Sequence, residues 1–327
     1  MSPSTRASPI WRRCSITEGW GWGCLSLGGV LMITVGLERV DRDAVRSVVA
    51  EQGAMRIRGL ELRDAAEAEA VFRQLGTLMT ETEAFAPRTR YAPGVYSATK
   101  WPPNQPMCVH HELSYAYEVP SLMLFACLVT PAVGGATPLA DGAAVLGALP
   151  RDLVERFERQ GWLLVRNYND DIGATIADVF GTNDRGAVER YCRANAIDFE
   201  WRDGGGLRTR QRRNAVVRHP LTGRRCWFNQ IAFLNEWTLA PDVREYLVDV
   251  YGPDAQPFNT RFGNGDPIGP DIVHVINETY EAHSVREPWQ AGDLLVVDNI
   301  RTAHGREPFE GAREIVVAMA DPVRLTE

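Results

Sequence analysis

The chain has 327 residues, 45% of them hydrophobic and 24% charged, enough to bury a sizeable core in one large domain. A formal net charge of -7 argues against sequence-independent nucleic-acid binding, which needs a broad excess of cations facing phosphate. Lys100 is the one lysine, so lysine Schiff-base chemistry and a phosphate loop ending in Gly-Lys-Ser/Thr have almost nowhere to sit.

Cys14, Cys24, Cys108, Cys127, Cys192 and Cys226 are scattered, with no C-x-x-C pair. That spacing predicts reduced thiols in a cytoplasm, neither a disulfide framework nor a thiolate metal cluster. Near the N-terminus, Arg6, Arg12 and Arg13 precede an uncharged stretch from Gly19 to Leu37, the outline of a signal peptide. Its many glycines and the lack of an A-x-A pattern make it a poor signal and a poor membrane span. Residues 1–32 are therefore expected to be a disordered or non-native extension, with Met32 as an alternative start. Residues 33–327 are expected to form a single domain.

In chain order, Asp41 can cap a helix whose Val45, Val48 and Val49 share a face and which Gly53 can close. A second helix is expected near Asp64 to Leu78. Gly-Val-Tyr-Ser-Ala-Thr at 94–99 and Met-Cys-Val-His at 107–110 read as strands around a Pro102-Pro103 turn. Leu122 to Val129 is an apolar run, Asp141 can cap a helix through Leu149, and Pro150 starts the next. Residues 150–285 read as a helical and loop insertion. Within it, Arg151 to Gln160 and Gly186 to Ala194 are expected to be helical and Trp162 to Arg166 extended. Asn214 to Asn229 should be a hairpin turning at Thr222-Gly223, and Asp203 to Arg213, glycine-rich with four arginines, an exposed mobile loop. That loop could also be a lid or a docking patch for an acidic carrier protein. Asp271 to Ser284 has one apolar helical face, and Gly292 to Asn299 and Arg313 to Asp321 close the chain as strands. The pattern is mainly β with helices (α+β), suggesting a β-sandwich or jelly-roll core.

Among the six histidines, His110 and Glu112 stand in H-x-E after an extended run, and residues i and i+2 of a strand point to one side. Together they supply two members of a 2-His-1-carboxylate face, the ligand set that leaves open positions on non-haem Fe(II). His304, just past a buried-looking strand, can supply the third. The pattern H-E-x-x-H fails, because the fifth residue is Tyr115. An enzyme of this kind that uses 2-oxoglutarate needs a cation for the far carboxylate. Arg313 lies nine residues after His304 across a Glu-Pro-Phe-Glu-Gly turn and can offer a bidentate guanidinium there. Thr137 can add a hydroxyl.

Three blocks resemble the TauD/TfdA (taurine dioxygenase) and clavaminate synthase-like superfamily: Pro131 to Pro138 with Asp141, Trp289 to Asn299, and His304-Gly305-Arg306 leading to Gly311-Ala312-Arg313. The branch most resembled is the syringomycin-type amino-acid hydroxylases, which use H-x-E; Tyr96 to Thr99 and Trp227 to Gln230 are similar to that branch too. The resemblance implies a double-stranded β-helix, iron on His110, Glu112 and His304, and 2-oxoglutarate held by Arg313 and Thr137. It further implies O2 as cosubstrate and an amino-acid-like substrate, free or on an acyl or peptidyl carrier protein, with neither nucleic acid nor membrane as partner. The expected reaction is hydroxylation with release of succinate and CO2. Desaturation or epoxidation, a zinc hydrolase and a non-redox jelly-roll protein stand as alternatives. Ser97, Thr99, Asn229 and Arg306 are candidate substrate residues, with Tyr115, Trp227 and Phe228 as candidate walls. Two positions depart from the pattern: His111 fills the middle of H-x-E, and residues 263–266 read Gly-Asn-Gly-Asp.

Overall fold

A computed structural model describes residues 12–13, 24–27, 30–34, 40–80, 88–169 and 172–325. Its organising element is the strand Val119–Val129, whose apolar run is buried on both faces. Leu122, Leu124 and Ala126 point to one side, against Val45, Val48 and Val49 of helix Arg42–Gln52 and Val71 and Phe72 of helix Ala65–Leu75. Met123, Phe125 and Cys127 point to the other, into the main core. Two-sided burial explains why this strand lacks polar alternation.

Val119–Val129 lies between Leu294–Asp298 and Glu314–Val323 in a nine-stranded sheet that runs from Arg12–Arg13 at one edge to Arg90–Ala92 at the other. Leu294–Asp298 pairs on its other side with Ala54–Arg58. A smaller sheet has the order Ser284–Val285, Leu139–Asp141, Thr302–Arg306, Met107–His110. The two sheets share the cluster that joins Phe125, Leu295 and Val317 to Val109, Leu139 and Ala303. This is the jelly-roll arrangement, with the two N-terminal helices covering the outer face of the larger sheet.

Asp41 caps the first helix and Gly53, at φ 87, ends it. Of the N-terminal segment read as an extension, Arg12–Arg13, Cys24–Leu27 and Val30–Thr34 are strands, and Val30–Thr34 runs parallel to Ala54–Arg58. The rest of residues 1–32 lies outside the described residues, as do Cys14 and the first part of the uncharged stretch.

The insertion forms its own four-stranded sheet, ordered Asp198–Trp201, Leu207–Arg213, Trp162–Tyr168, Phe258–Phe262. Here the expected mobile loop at 203–213 is corrected. Asp203–Gly205 is a short turn, and Leu207–Arg213 is an interior strand of this sheet, paired on both sides. Its inward residues are Leu207, Thr209 and Gln211, two of them polar, so the apolar alternation that marks a strand is missing. Arg208, Arg210 and Arg212 project from the opposite face, where Arg208 Nε donates to Asn167 Oδ1 at 2.7 Å. Helix Pro241–Tyr251 and strand Phe258–Phe262 were not anticipated. Among the described residues no helix is long and apolar enough to cross a membrane.

Candidate metal centre

Strand Met107–His110 pairs antiparallel with Thr302–Arg306, and His110 lies directly opposite His304. Their rings sit 4.9 Å apart. Cross-strand pairing thus brings together two imidazoles far apart in sequence. Gly305 permits the approach, since a Cβ there would stand 2.7 Å from the Met107 carbonyl oxygen.

Glu112 arrives differently from the expected alternation, because the strand ends at His110. The chain then turns through Leu113, at φ 52, and Asn299 sets the carboxylate's backbone. Glu112 N–H donates to Asn299 Oδ1 at 2.8 Å, while Asn299 Nδ2 donates to the Glu112 and Pro120 carbonyls at 3.0 and 2.9 Å. Ligand atoms of His110, Glu112 and His304 lie within 4.8 Å of one another, and all three residues are buried. Glu112 Oε2 is 3.9 Å from His304 Nε2.

His111 turns away. Its Nδ1 bonds the Asn299 carbonyl at 2.6 Å and its ring packs 4.9 Å from Phe228. Burial lowers its pKa to about 4, so it is a neutral core imidazole. Burial lowers the pKa of His110, and that of His304 well below the usual value. Neutral imidazoles are the form that binds a metal.

The donor set fits a divalent transition ion. His110 Nδ1 is engaged by the Cys108 carbonyl at 2.7 Å, which fixes the ring and leaves Nε2 for a ligand. Phe233 stacks on His110 at 4.3 Å between ring centres, and Phe125 meets the His304 ring edge-on at 5.1 Å. These aromatics shield the cluster from water.

Arg313 is half-buried. Its Nε donates to the Gly135 carbonyl at 3.1 Å, and no carboxylate of the described residues pairs with it. Burial first, and then Arg306, lowers its pKa to about 10, so the guanidinium stays charged and lacks a counter-anion. A dicarboxylate such as 2-oxoglutarate fits that need. Gly134 and Gly135, both at positive φ, seat the segment Phe309–Glu310, which pairs with Val133–Gly134 and leads to Arg313; a Cβ on Gly134 would meet the Pro308 carbonyl oxygen at 2.3 Å. Thr137 Oγ1 accepts from Trp289 Nε1 at 3.2 Å, and Trp289 lies under the Arg56 guanidinium at 4.2 Å.

The candidate substrate residues have different surroundings. Arg306 donates to the Trp101, Pro102 and Gln105 carbonyls, pinning that loop. Asn229 bridges the Ala215 carbonyl and the Ile231 N–H. Ser97 Oγ accepts from Thr89 N–H at 3.0 Å, and Thr99 is half-buried just beyond the strand Val95–Ser97. Tyr115, Trp227 and Phe228 are fully buried. Sequence reasoning missed Arg88, whose Nη2 lies 3.2 Å from Glu112 Oε2; a lone arginine before an edge strand carries no motif. It also assigned Asn299 no more than a strand end.

A jelly roll enclosing two histidines, a carboxylate and an unpaired arginine defines a metal-dependent oxygenase of the 2-oxoglutarate class. The profile described as "Taurine catabolism dioxygenase TauD, TfdA family" matches residues 28–319, and the chain belongs to that family. The Dapdiamide synthesis protein DdaC of Enterobacter agglomerans is 34% identical over 284 residues, covering 85% of each chain. A clavaminate synthase-like protein of Arabidopsis thaliana is 30% identical over 285 residues, covering 84% of this chain and 83% of that one. In fold, the chain resembles PvcB, "an Fe, alpha-ketoglutarate dependent oxygenase from an isonitrile synthetic pathway" (TM-score 0.53, 15% identity, 91% and 90% covered). It also resembles a taurine dioxygenase from Burkholderia xenovorans (TM-score 0.53, 16% identity, 98% and 92% covered). The protein is an Fe(II)/2-oxoglutarate-dependent oxygenase, using Fe(II), 2-oxoglutarate and O2.

Proposed function

We propose that the protein hydroxylates an unactivated C–H bond of an amino acid or amino-acid-derived intermediate in a biosynthetic pathway. His110, Glu112 and His304 hold the iron in this reading, and Arg313 with Thr137 holds the far carboxylate of 2-oxoglutarate. The observation that carries it is the buried His110, Glu112 and His304 cluster within 4.8 Å. Likeness to a relative named for dapdiamide synthesis supports the substrate class.

Fe(II) with 2-oxoglutarate and O2 supplies the oxidising power, the keto acid leaving as succinate and CO2. The chain's own residues do the positioning. Asn299 holds the Glu112 backbone, the Cys108 carbonyl fixes the His110 ring, and Phe125 and Phe233 exclude water. Because Glu112 occupies the carboxylate position, no place is left for a halide, which favours hydroxylation over halogenation.

The test uses anaerobic protein with Fe(II) and 2-oxoglutarate. A visible charge-transfer band on mixing, and succinate on admitting O2, are expected. Turnover indifferent to O2 and 2-oxoglutarate would instead identify a zinc hydrolase. Mass spectrometry of free and carrier-tethered amino acids then reads one added oxygen for hydroxylation, or loss of two hydrogens for desaturation.

A further inference from the structure

The Arg88 guanidinium is held against the candidate metal centre by more than its own contact. Thr89 N–H donates to Ser97 Oγ at 3.0 Å and Ser97 N–H returns to the Thr89 carbonyl at 2.8 Å. Arg90 then pairs opposite Tyr96, so the backbone next to Arg88 is fixed to the sheet edge. From there the side chain, 16% exposed, reaches Glu112 Oε2 at 3.2 Å, the same oxygen that faces His304. Its second terminal nitrogen, Nη1, is shielded from solvent and has no hydrogen-bond partner among the described residues.

A buried donor left unmade costs stability, and a guanidinium serving only to orient Glu112 would not need to bury its other arm unpaired. Charge points the same way. Once a divalent ion shares the Glu112 carboxylate, Arg88 is left facing another cation in a dry centre, and 2-oxoglutarate has its own cation in Arg313. Among the described residues Glu112 is the one carboxylate paired with Arg88. A carboxylate carried by the substrate would answer that arm.

Building on the iron and 2-oxoglutarate reading above, we infer that Arg88 is a substrate-binding residue whose Nη1 arm takes a carboxylate of the substrate. The specificity is then for an acid, free at that carboxylate, over its ester or amide. Arg88 fixes where that acid group sits relative to the metal, and so which carbon is presented for oxidation.

The test uses the full-length protein loaded with Zn(II) and 2-oxoglutarate, a diamagnetic state in which no turnover occurs. Ligand-observed NMR measures binding of the proteinogenic L-amino acids, their N-acetyl derivatives and the methyl esters of both sets. At least one acid should bind about tenfold more tightly than its ester, the scale of one charge-assisted hydrogen bond. Arg88→Gln should erase that preference, and Arg88→Lys should keep part of it. The assignment is overturned if no acid binds better than its ester, or if Arg88→Gln keeps the preference. It is also overturned if Arg88→Gln loses bound zinc by metal analysis, which would make Arg88 a support for Glu112 alone. The Fe(II) and 2-oxoglutarate band of the wild type is recorded separately. Its absence beside an intact acid preference would sink the iron reading and leave Arg88 standing.

Discussion

At the residue scale, Asn299 is where a small change should have the largest effect outside the ligands. It is fully buried, and its amide makes three hydrogen bonds that hold the turn carrying Glu112. Asn299→Asp keeps the acceptor but sets a carboxylate oxygen against two carbonyls, so both it and Asn299→Ala should lower metal affinity by roughly 10- to 100-fold. Titration with Co(II), followed by its visible absorption, reads this directly. Arg313→Gln leaves a carboxylate without its cation and should raise the KM for 2-oxoglutarate by about 10-fold or more. Arg313→Lys should recover little of it, because an ammonium cannot reproduce the planar fork. Glu112→Ala should abolish succinate formation in the same assay.

At the scale of elements, the Phe309–Glu310 segment that leads to Arg313 packs against two glycines at positive φ. Gly134→Ala would push a methyl into the Pro308 carbonyl and strain the backbone, at a cost of about 1–3 kcal/mol. Its larger effect should fall on 2-oxoglutarate binding, measured as the concentration that half-saturates the visible band. Phe125 belongs to the long strand and touches His304. Phe125→Ala should cost about 3–5 kcal/mol in chemical denaturation and also weaken metal binding. The insertion sheet shows where pattern reading fails at this scale. In Leu207–Arg213 arginines and polar inward residues hide the strand alternation, whereas Arg42–Gln52 has an acidic cap, an apolar face and a terminal glycine in its own sequence. Likewise the H-x-E reading reached the right neighbourhood by strand alternation, while the turn at Leu113 and the Asn299 clamp are what bring Glu112 round.

At the scale of the molecule, Cys127, Cys192 and Cys226 are buried and Cys108 is half-buried. Burial raises the Cys108 thiol to about 11 and those of Cys127 and Cys226 to about 12. At pH 8 these three should resist alkylation in the native protein and react once it is unfolded, as mass spectrometry of labelled peptides would show. The sign of the linked pH effect follows. Above about pH 8.5 the unfolded chain's thiols ionise while the folded ones keep their protons, so stability should fall as the pH rises from there toward 11. A denaturation midpoint that stays constant from pH 8 to pH 10 would contradict this.

Local features of the sequence determined the helix caps, the two-sided central strand and the ligand types, because each depends on neighbours a few positions away. His110 and Glu112 were legible as a pair for that reason, and Arg313 through its short turn from His304. Only the tertiary structure decided that His110 faces His304 across a strand pair, that Arg306, Asn229 and Ser97 are engaged with backbone groups, and that Arg88 reaches Glu112. Those contacts join residues from 8 to more than 200 positions apart, and no periodicity along the chain records which side chains a sheet register will bring together.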